Sequence, residues 1–362
     1  VMVLWLPFAG KLINQYDIRV MAVIGAVLQA FAFVGLGFMN TVYGWYILSV
    51  PYAMGAAILV NLLGPILINR WFRKNAGLML GIQMAFVGLF GAVLQPVTSS
   101  IIVLKGWRNA YFFIGGITFV VVLFTAIILL RDRPEDKNVT AFGSETPVTK
   151  NKAKRENDDL VDIPEAVATK SSSFYLLLLF MICITGAGVF LQHIPTYGAL
   201  LGFSPKNTAN ALAFASIGSA IGSIVIGVIS DKIGGLKTCY GMIVIGVLAM
   251  IGFLFSGNSF ILFSISTFFH GLVSASIMVL APILTIKFFG QKDYEKIFAK
   301  VSMGAPISSI ILIPVYGFIY DFTKSYLIVL IGIIVLLILS LVCITIGWKN
   351  RCTEAGCPTF RK

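Results

Sequence analysis

Two histidines are the side chains in this chain best placed to do chemistry. Imidazole changes charge near neutral pH and hydrogen-bonds carboxylates. His270 falls near the centre of an apolar run at 260–286, ahead of Gly271, which puts it at about mid-membrane depth. His193 falls near the end of the run at 173–200, in Gln192-His193-Ile194-Pro195, where a proline frees backbone groups. Four amide side chains, Gln29, Asn61, Gln83 and Gln95, are buried by depth in other apolar runs, and Ser223 is a further polar candidate in the run at 209–230. All 15 Asp and Glu, and every Lys and Arg, fall outside the interiors of these runs. An ion at mid-membrane costs about 2.5–3.5 kcal/mol on insertion scales, so intramembrane ions mark functional sites; here the polar interior is nearly neutral. The histidines stand far apart, without a cluster of Asp, Glu or Cys, so neither catalysis nor a metal centre is expected. No cofactor is expected.

The elements that must carry these residues are apolar helices. The chain is 58% hydrophobic and 12% charged, with mean hydropathy +0.94. Its apolar runs reach the roughly 20 residues that cross a bilayer as a helix. They lie at 20–39, 43–67, 77–103, 110–130, 173–200, 209–230, 239–256, 260–286, 298–320 and 326–348, and residues 1–13 resemble the end of another. The alternation of a β-barrel is absent, so the spans are predicted to be helical. The five cysteines form no framework.

The formal net charge of +12 suggests nucleic acid until its placement is considered. Twenty-three of the 27 Lys and Arg lie in alternate loops and the tail. The opposite loops hold four: Lys105, Arg108, Lys206 and Lys324. This is the positive-inside signal, which puts the basic loops and the C-terminus in the cytoplasm of a multi-pass protein. A plasma membrane is expected, or the inner membrane in a bacterium. The lipid bilayer, and no nucleic acid, is the partner that this charge implies.

Two stretches recur at one offset. Gly10-Lys-Leu-Ile-Asn14 is answered by Gly227-Val-Ile-Ser-Asp231, and Pro65-Ile-Leu-Ile-Asn-Arg-Trp-Phe72 by Pro282-Ile-Leu-Thr-Ile-Lys-Phe-Phe289. Both pairs are 217 residues apart (227 − 10 and 282 − 65). Two helical units related as parallel repeats are how one class of carriers forms a substrate site between halves. The units are expected at 1–130 and 173–348, joined by a charged, mobile cytoplasmic linker at 131–172 and followed by a cytoplasmic tail at 349–362. More span precedes Gly227 in its unit than precedes Gly10 in the other, so a first helix and part of a second are expected upstream of Val1.

Gly227-Val-Ile-Ser-Asp231-Lys232-Ile-Gly234-Gly-Leu-Lys237 resembles the loop motif between the second and third helices of each half in major facilitator superfamily transporters. The first copy departs from it: Gly10 remains, but Asn14 stands where the motif has Asp and Asp17 where it has Gly, and Arg19 is the basic residue of that loop considered for gating. The resemblance implies a gating charge network at the cytoplasmic face. Asn69-Arg70-Trp71-Phe72, Ala76-Gly77 and Gly106-Trp107-Arg108, with Gln192-His193-Ile194-Pro195 and Leu201-Gly202-Phe203-Ser204, are similar to the oxalate–formate antiporter and monocarboxylate porter group.

The fold implied is an all-α polytopic membrane protein of the major facilitator type, with two pseudo-symmetric six-helix halves. The activity implied is secondary transport of a small, monocarboxylate-like organic anion by alternating access, through exchange or proton symport, in a monomer. Carboxylate carriers of the group often have Arg where this chain has Ser223, and the oxalate carrier's eleventh-helix Lys has no counterpart from Ser302 to Ile319, which argues against oxalate. A carrier of a neutral or drug-like solute is the alternative. A membrane-embedded enzyme would need clustered catalytic groups, and a non-transporting sensor a further folded domain.

Overall fold

The computed structural model describes residues 1–137, 139–143, 162–257 and 259–351. Eleven main helices follow in order: α1 Met2–Gln15, α2 Ile18–Phe38, α3 Val42–Trp71, α4 Ala76–Lys105, α5 Trp107–Leu129, α6 Ser172–Leu200, α7 Pro205–Ile233, α8 Gly235–Phe255, α9 Phe260–Phe289, α10 Tyr294–Thr323 and α11 Leu327–Lys349. Among the described residues, nine of them are long and apolar enough to cross a membrane, and α4 covers the remaining expected run. Helix α11 shows why a bilayer is required. Val329, Leu330, Ile333, Leu337 and Ile344 are buried, while Ile328, Ile331, Val335, Ile338 and Val342 on the other side are exposed. A helix apolar all round, with one side bare, needs a hydrocarbon solvent.

The chain forms two compact units. The first comprises Val1–Lys74 and Leu89–Val148; the second comprises Asn75–Gly88 and Thr149–Lys362. In the first, α2 packs against both α3 and α5. Within α3, residues Ala57–Leu62 form a π-helical segment just before Pro65. Proline has no N–H to offer the Asn61 carbonyl four residues back, so the ladder re-forms with wider spacing there. Trp45, Trp107 and Tyr111 meet with ring centroids 5.6–6.0 Å apart, as expected of an interfacial belt.

In the second unit, α7 and α9 cross almost backbone to backbone. A Cβ added at Gly271 would lie 2.0 Å from the Ala215 carbonyl oxygen, and one at Gly218 would lie 2.2 Å from that of Phe268. Such approach is how helices gain packing energy in lipid, where apolar burial gives no drive. Helix α6 changes to a 3-10 turn at Val189–His193, two residues before Pro195. Pro195 likewise has no N–H for the Leu191 carbonyl. Pro282, the repeat partner of Pro65, sits in α9 with no π segment.

The ends of the expected linker are held in place. Phe142 donates its N–H to the Trp71 carbonyl (2.8 Å) and accepts from the Arg73 N–H (2.9 Å). At the other end Ile163, buried, donates to the Phe289 carbonyl (3.0 Å), and Asp162 accepts from the Gln291 and Lys292 N–H groups (2.6 and 3.2 Å). Trp71 and Phe289 fall within one residue of equivalent repeat positions (289 − 217 = 72). Each linker end thus docks at the same place on its own repeat. Residues 138 and 144–161 of the linker, the tail beyond Arg351 and two of the five cysteines, Cys352 and Cys357, lie outside the described residues.

Candidate functional site

His270 projects from α9 into the interior of the second unit, where it is 1% exposed. Phe190 of α6 and Phe253 of α8 stand edge-on to its ring at 6.0 and 6.2 Å. Its Nε2 is buried with no hydrogen-bond partner. An unpaired buried donor or acceptor costs about 1–3 kcal/mol, so packing alone is a poor reason to keep a histidine here.

His193, in the 3-10 turn of α6, is half-buried and fully engaged. Its Nε2 lies 3.2 Å from the Ile313 carbonyl oxygen of α10, and its Nδ1 lies 3.1 Å from the Tyr326 hydroxyl at the start of α11. Tyr316 of α10 stands edge-on at 5.9 Å and donates its own hydroxyl to the Gly186 carbonyl (2.9 Å). Phe190 joins the two histidines, because its ring is 6.1 Å from Tyr326 as well as 6.0 Å from His270. Residues far apart in sequence therefore form one aromatic–histidine cluster around the break in α6. Tyr316 and Tyr326 escaped sequence reasoning because nothing in the chain distinguishes them from other apolar aromatics.

Ser223 does not join this cluster. It is 1% exposed, its hydroxyl returns to the Ala220 carbonyl of its own helix (2.9 Å), and its backbone faces Gly81 of α4. Gln83, on the same α4 segment, has a buried Oε1 without a partner. In the first unit Gln29 is buried against Gly55 of α3, and Asn61 donates from Nδ2 to the Ala56 carbonyl (3.3 Å) inside the π segment. Two open cavities, of about 610 Å³ beside Phe214 and Phe268 and about 370 Å³ beside Trp71 and Leu129, touch none of these candidates.

The loop motif has a physical reading. Gly227 and Asp231 are four residues apart, hence on one face of α7. A Cβ on Gly227 would lie 2.3 Å from the Gly77 carbonyl oxygen, so glycine lets the start of α4 come close. Asp231 then reaches the Gly77 and Leu78 N–H groups at 3.0 and 2.8 Å. A carboxylate there meets unpaired amides and the positive end of the helix dipole. Gly234, with φ 89°, ends α7 and leads into α8 in a conformation that favours glycine, while Lys232 and Lys237 stay exposed.

The first-unit copy lacks this carboxylate. Gly10 is buried in α1, Asn14 lies a turn beyond it, and Asp17 caps α2 by accepting from the Arg19 N–H (2.8 Å). A different ion pair stands nearby: Arg70 bonds Asp132, donates to the Ile13 carbonyl (3.2 Å), and Asp132 also accepts from the Ile18 N–H (3.3 Å). Sequence reasoning placed Asp132 in the linker; only the fold brings it to Arg70. Among the described residues no group of three His, Cys, Asp or Glu is placed to hold a metal.

Comparison with known proteins gives this geometry a family. The Major Facilitator Superfamily profile matches residues 1–261 and 208–351. The uncharacterized MFS-type transporter YhjX of Escherichia coli (strain K12) is 23% identical over 312 residues, covering 83% of this chain and 72% of that one. Monocarboxylate transporter 1 of Bos taurus is 30% identical over 113 residues, 31% of this chain and 22% of that protein. Two solved folds match nearly the whole chain. The E. coli fucose:proton symporter FucP has a TM-score of 0.66 at 16% identity, covering 96% of this chain and 88% of its own. The proton:xylose symporter XylE has a TM-score of 0.71 at 14% identity, covering 98% and 84%. A chain of bilayer-length helices in repeated units, matched by one family profile over nearly all its length, belongs to the Major Facilitator Superfamily, and it is a multi-pass membrane transporter, not an enzyme.

Proposed function

We propose that this transporter moves a small, monocarboxylate-like organic anion by alternating access, through exchange or proton symport, as a monomer with its basic loops and C-terminus in the cytoplasm. The observation that carries the substrate class is the 30% identity with monocarboxylate transporter 1. The polar residues in the spans fit a small solute: Gln29, Asn61 and Gln83 offer amide groups, and His270 offers imidazole. Asp231, seated on the start of α4, is the gating residue, and Gly227, Lys232, Gly234 and Lys237 complete the hinge around it. The charge bias of the loops supports the orientation.

A neutral solute is the second reading. It is favoured by the uncharged span interiors and by the sugar substrates in the names of the two matching folds. Uptake of radiolabelled lactate, pyruvate, fucose and xylose by proteoliposomes separates the readings. Saturable lactate or pyruvate uptake, competed by other monocarboxylates and not by sugars, is the expected result. Sugar uptake alone would overturn the anion.

A further inference from the structure

His193 has partners that dictate its tautomer. The Ile313 carbonyl can only accept, so Nε2, 3.2 Å away, carries a hydrogen. In the neutral ring Nδ1 then holds a lone pair, and the Tyr326 hydroxyl at 3.1 Å donates to it. This arrangement is reversible. A hydronium ion that gives its proton to Nδ1 leaves water behind and a ring with two donors. Nδ1–H then donates to the Tyr326 oxygen, and the tyrosine hydrogen rotates away, with the Thr196 hydroxyl beside it. No backbone has to move. His270 lacks this provision, because its Nε2 faces no acceptor and its ring is walled by Phe190 and Phe253.

The surroundings are mixed in charge. From α6 come Tyr197, 5.6 Å from Tyr326 ring to ring, and Thr196. From α10 come Tyr316, Tyr320 stacked on Tyr326 at 4.9 Å, and Asp321, whose charge is felt at Tyr326. Lys324, in the turn before α11, lies over Tyr320 at 5.9 Å. Asp321 favours a proton on the cluster and Lys324 opposes it. The cluster lies toward the end of α6 that leads to Lys206, away from the basic loops.

We propose that His193 is the proton-binding residue of this transporter, charged from the face opposite the basic loops, with the Tyr326 hydroxyl reversing its direction as the proton arrives. This rests on the proton-linked form of the function proposed above and names its proton site. The test has two independent arms. In the first, protein with ¹⁵N-labelled imidazoles is titrated in nanodiscs, and the two histidines are assigned with His193→Gln and His270→Gln. His193 is expected as the Nε2–H tautomer at alkaline pH and to become doubly protonated on acidification, while the His270 ring, without an acceptor for a second N–H, keeps one tautomer. Tyr326→Phe removes the donor to Nδ1 and is expected to move the His193 midpoint while the fold, read by circular dichroism, is unchanged. In the second arm, radiolabelled lactate is the probe: His193→Gln keeps lactate exchange and loses the acid stimulation of net uptake. A His193 that stays neutral to pH 5, or acid stimulation in His193→Gln equal to wild type, overturns the proposal. Absence of lactate flux in wild type with a normal His193 titration refutes the anion reading and leaves the proton site standing.

Discussion

Asp231 holds Gly77. Its carboxylate accepts the Gly77 N–H at 3.0 Å and the next amide, of Leu78, at 2.8 Å, while Gly227 one turn earlier on α7 removes the side chain that would keep the helices apart. A glycine and a carboxylate four residues apart thus act as one device: the first permits the approach and the second bonds what has approached.

Removing the charge should loosen this device without touching the substrate. Asp231→Asn keeps an acceptor oxygen but loses the charge at the helix start, about 0.3–1 kcal/mol at an exposed site. Turnover in lactate exchange is expected to fall several-fold while the dissociation constant, measured by scintillation proximity, changes less than twofold. A large change in selectivity among monocarboxylates would show that Asp231 binds substrate instead.

Glycine at the crossing is a steric requirement. Gly227→Ala would set a methyl group 2.3 Å from the Gly77 carbonyl oxygen, and backbone cannot yield as a side chain does. Overpacking of this kind costs about 1–3 kcal/mol. The apparent Tm in detergent should drop clearly for Gly227→Ala. It should stay within about a degree for Gly241→Ala, where an added Cβ meets nothing within 4 Å. Equal Tm values for the two variants would dismiss the crossing as a source of stability.

His270 should show a conflict between stability and activity. Its unpaired Nε2 costs about 1–3 kcal/mol, and methionine of similar volume removes that cost while giving up the ring's bond to the Gly188 backbone, worth about 1 kcal/mol. His270→Met is expected to raise Tm and to reduce uptake at least tenfold at normal membrane levels. A stabilised variant with wild-type uptake would make His270 ordinary packing.

The docked end of the linker should resist acid. Asp293 accepts the Glu165 N–H at 3.0 Å and bonds Lys296 at 3.2 Å. The backbone bond first, then Lys296, holds its carboxyl below the ordinary 3.8, against the opposing effect of burial. A depressed carboxyl contributes stability that is complete above the ordinary value and lost as pH falls through the folded one, so protection of the Glu165 amide should be flat down to about pH 4 and fail below it. Asp293→Asn, with a neutral acceptor worth about 1 kcal/mol less, should speed exchange of that amide roughly fivefold. Unchanged exchange would mean that Glu165 is protected by something else, such as its ion pair with Lys300.

Much of this protein could be read from its residues in order. A run of 20 apolar residues has one low-energy form in lipid, since only a helix satisfies every backbone group from within, and so the runs at 20–39 and 260–286 could be placed without tertiary information. The 217-residue offset came from local identity as well, and so did the glycine–aspartate pair of the loop motif. Partners could not be read this way. Tyr326 bonds a histidine 133 positions away, and Asp132 bonds Arg70 across 62. Ser223 meets Gly81 because two glycine-bearing helices cross there, and His270 faces Phe190 because of how α6 and α9 rotate against each other. Apolar helices have similar surfaces all round, so their sequences barely encode which side turns inward. That rotation is set by close packing of small residues and by the few polar atoms that must find partners, and both are properties of the assembled bundle.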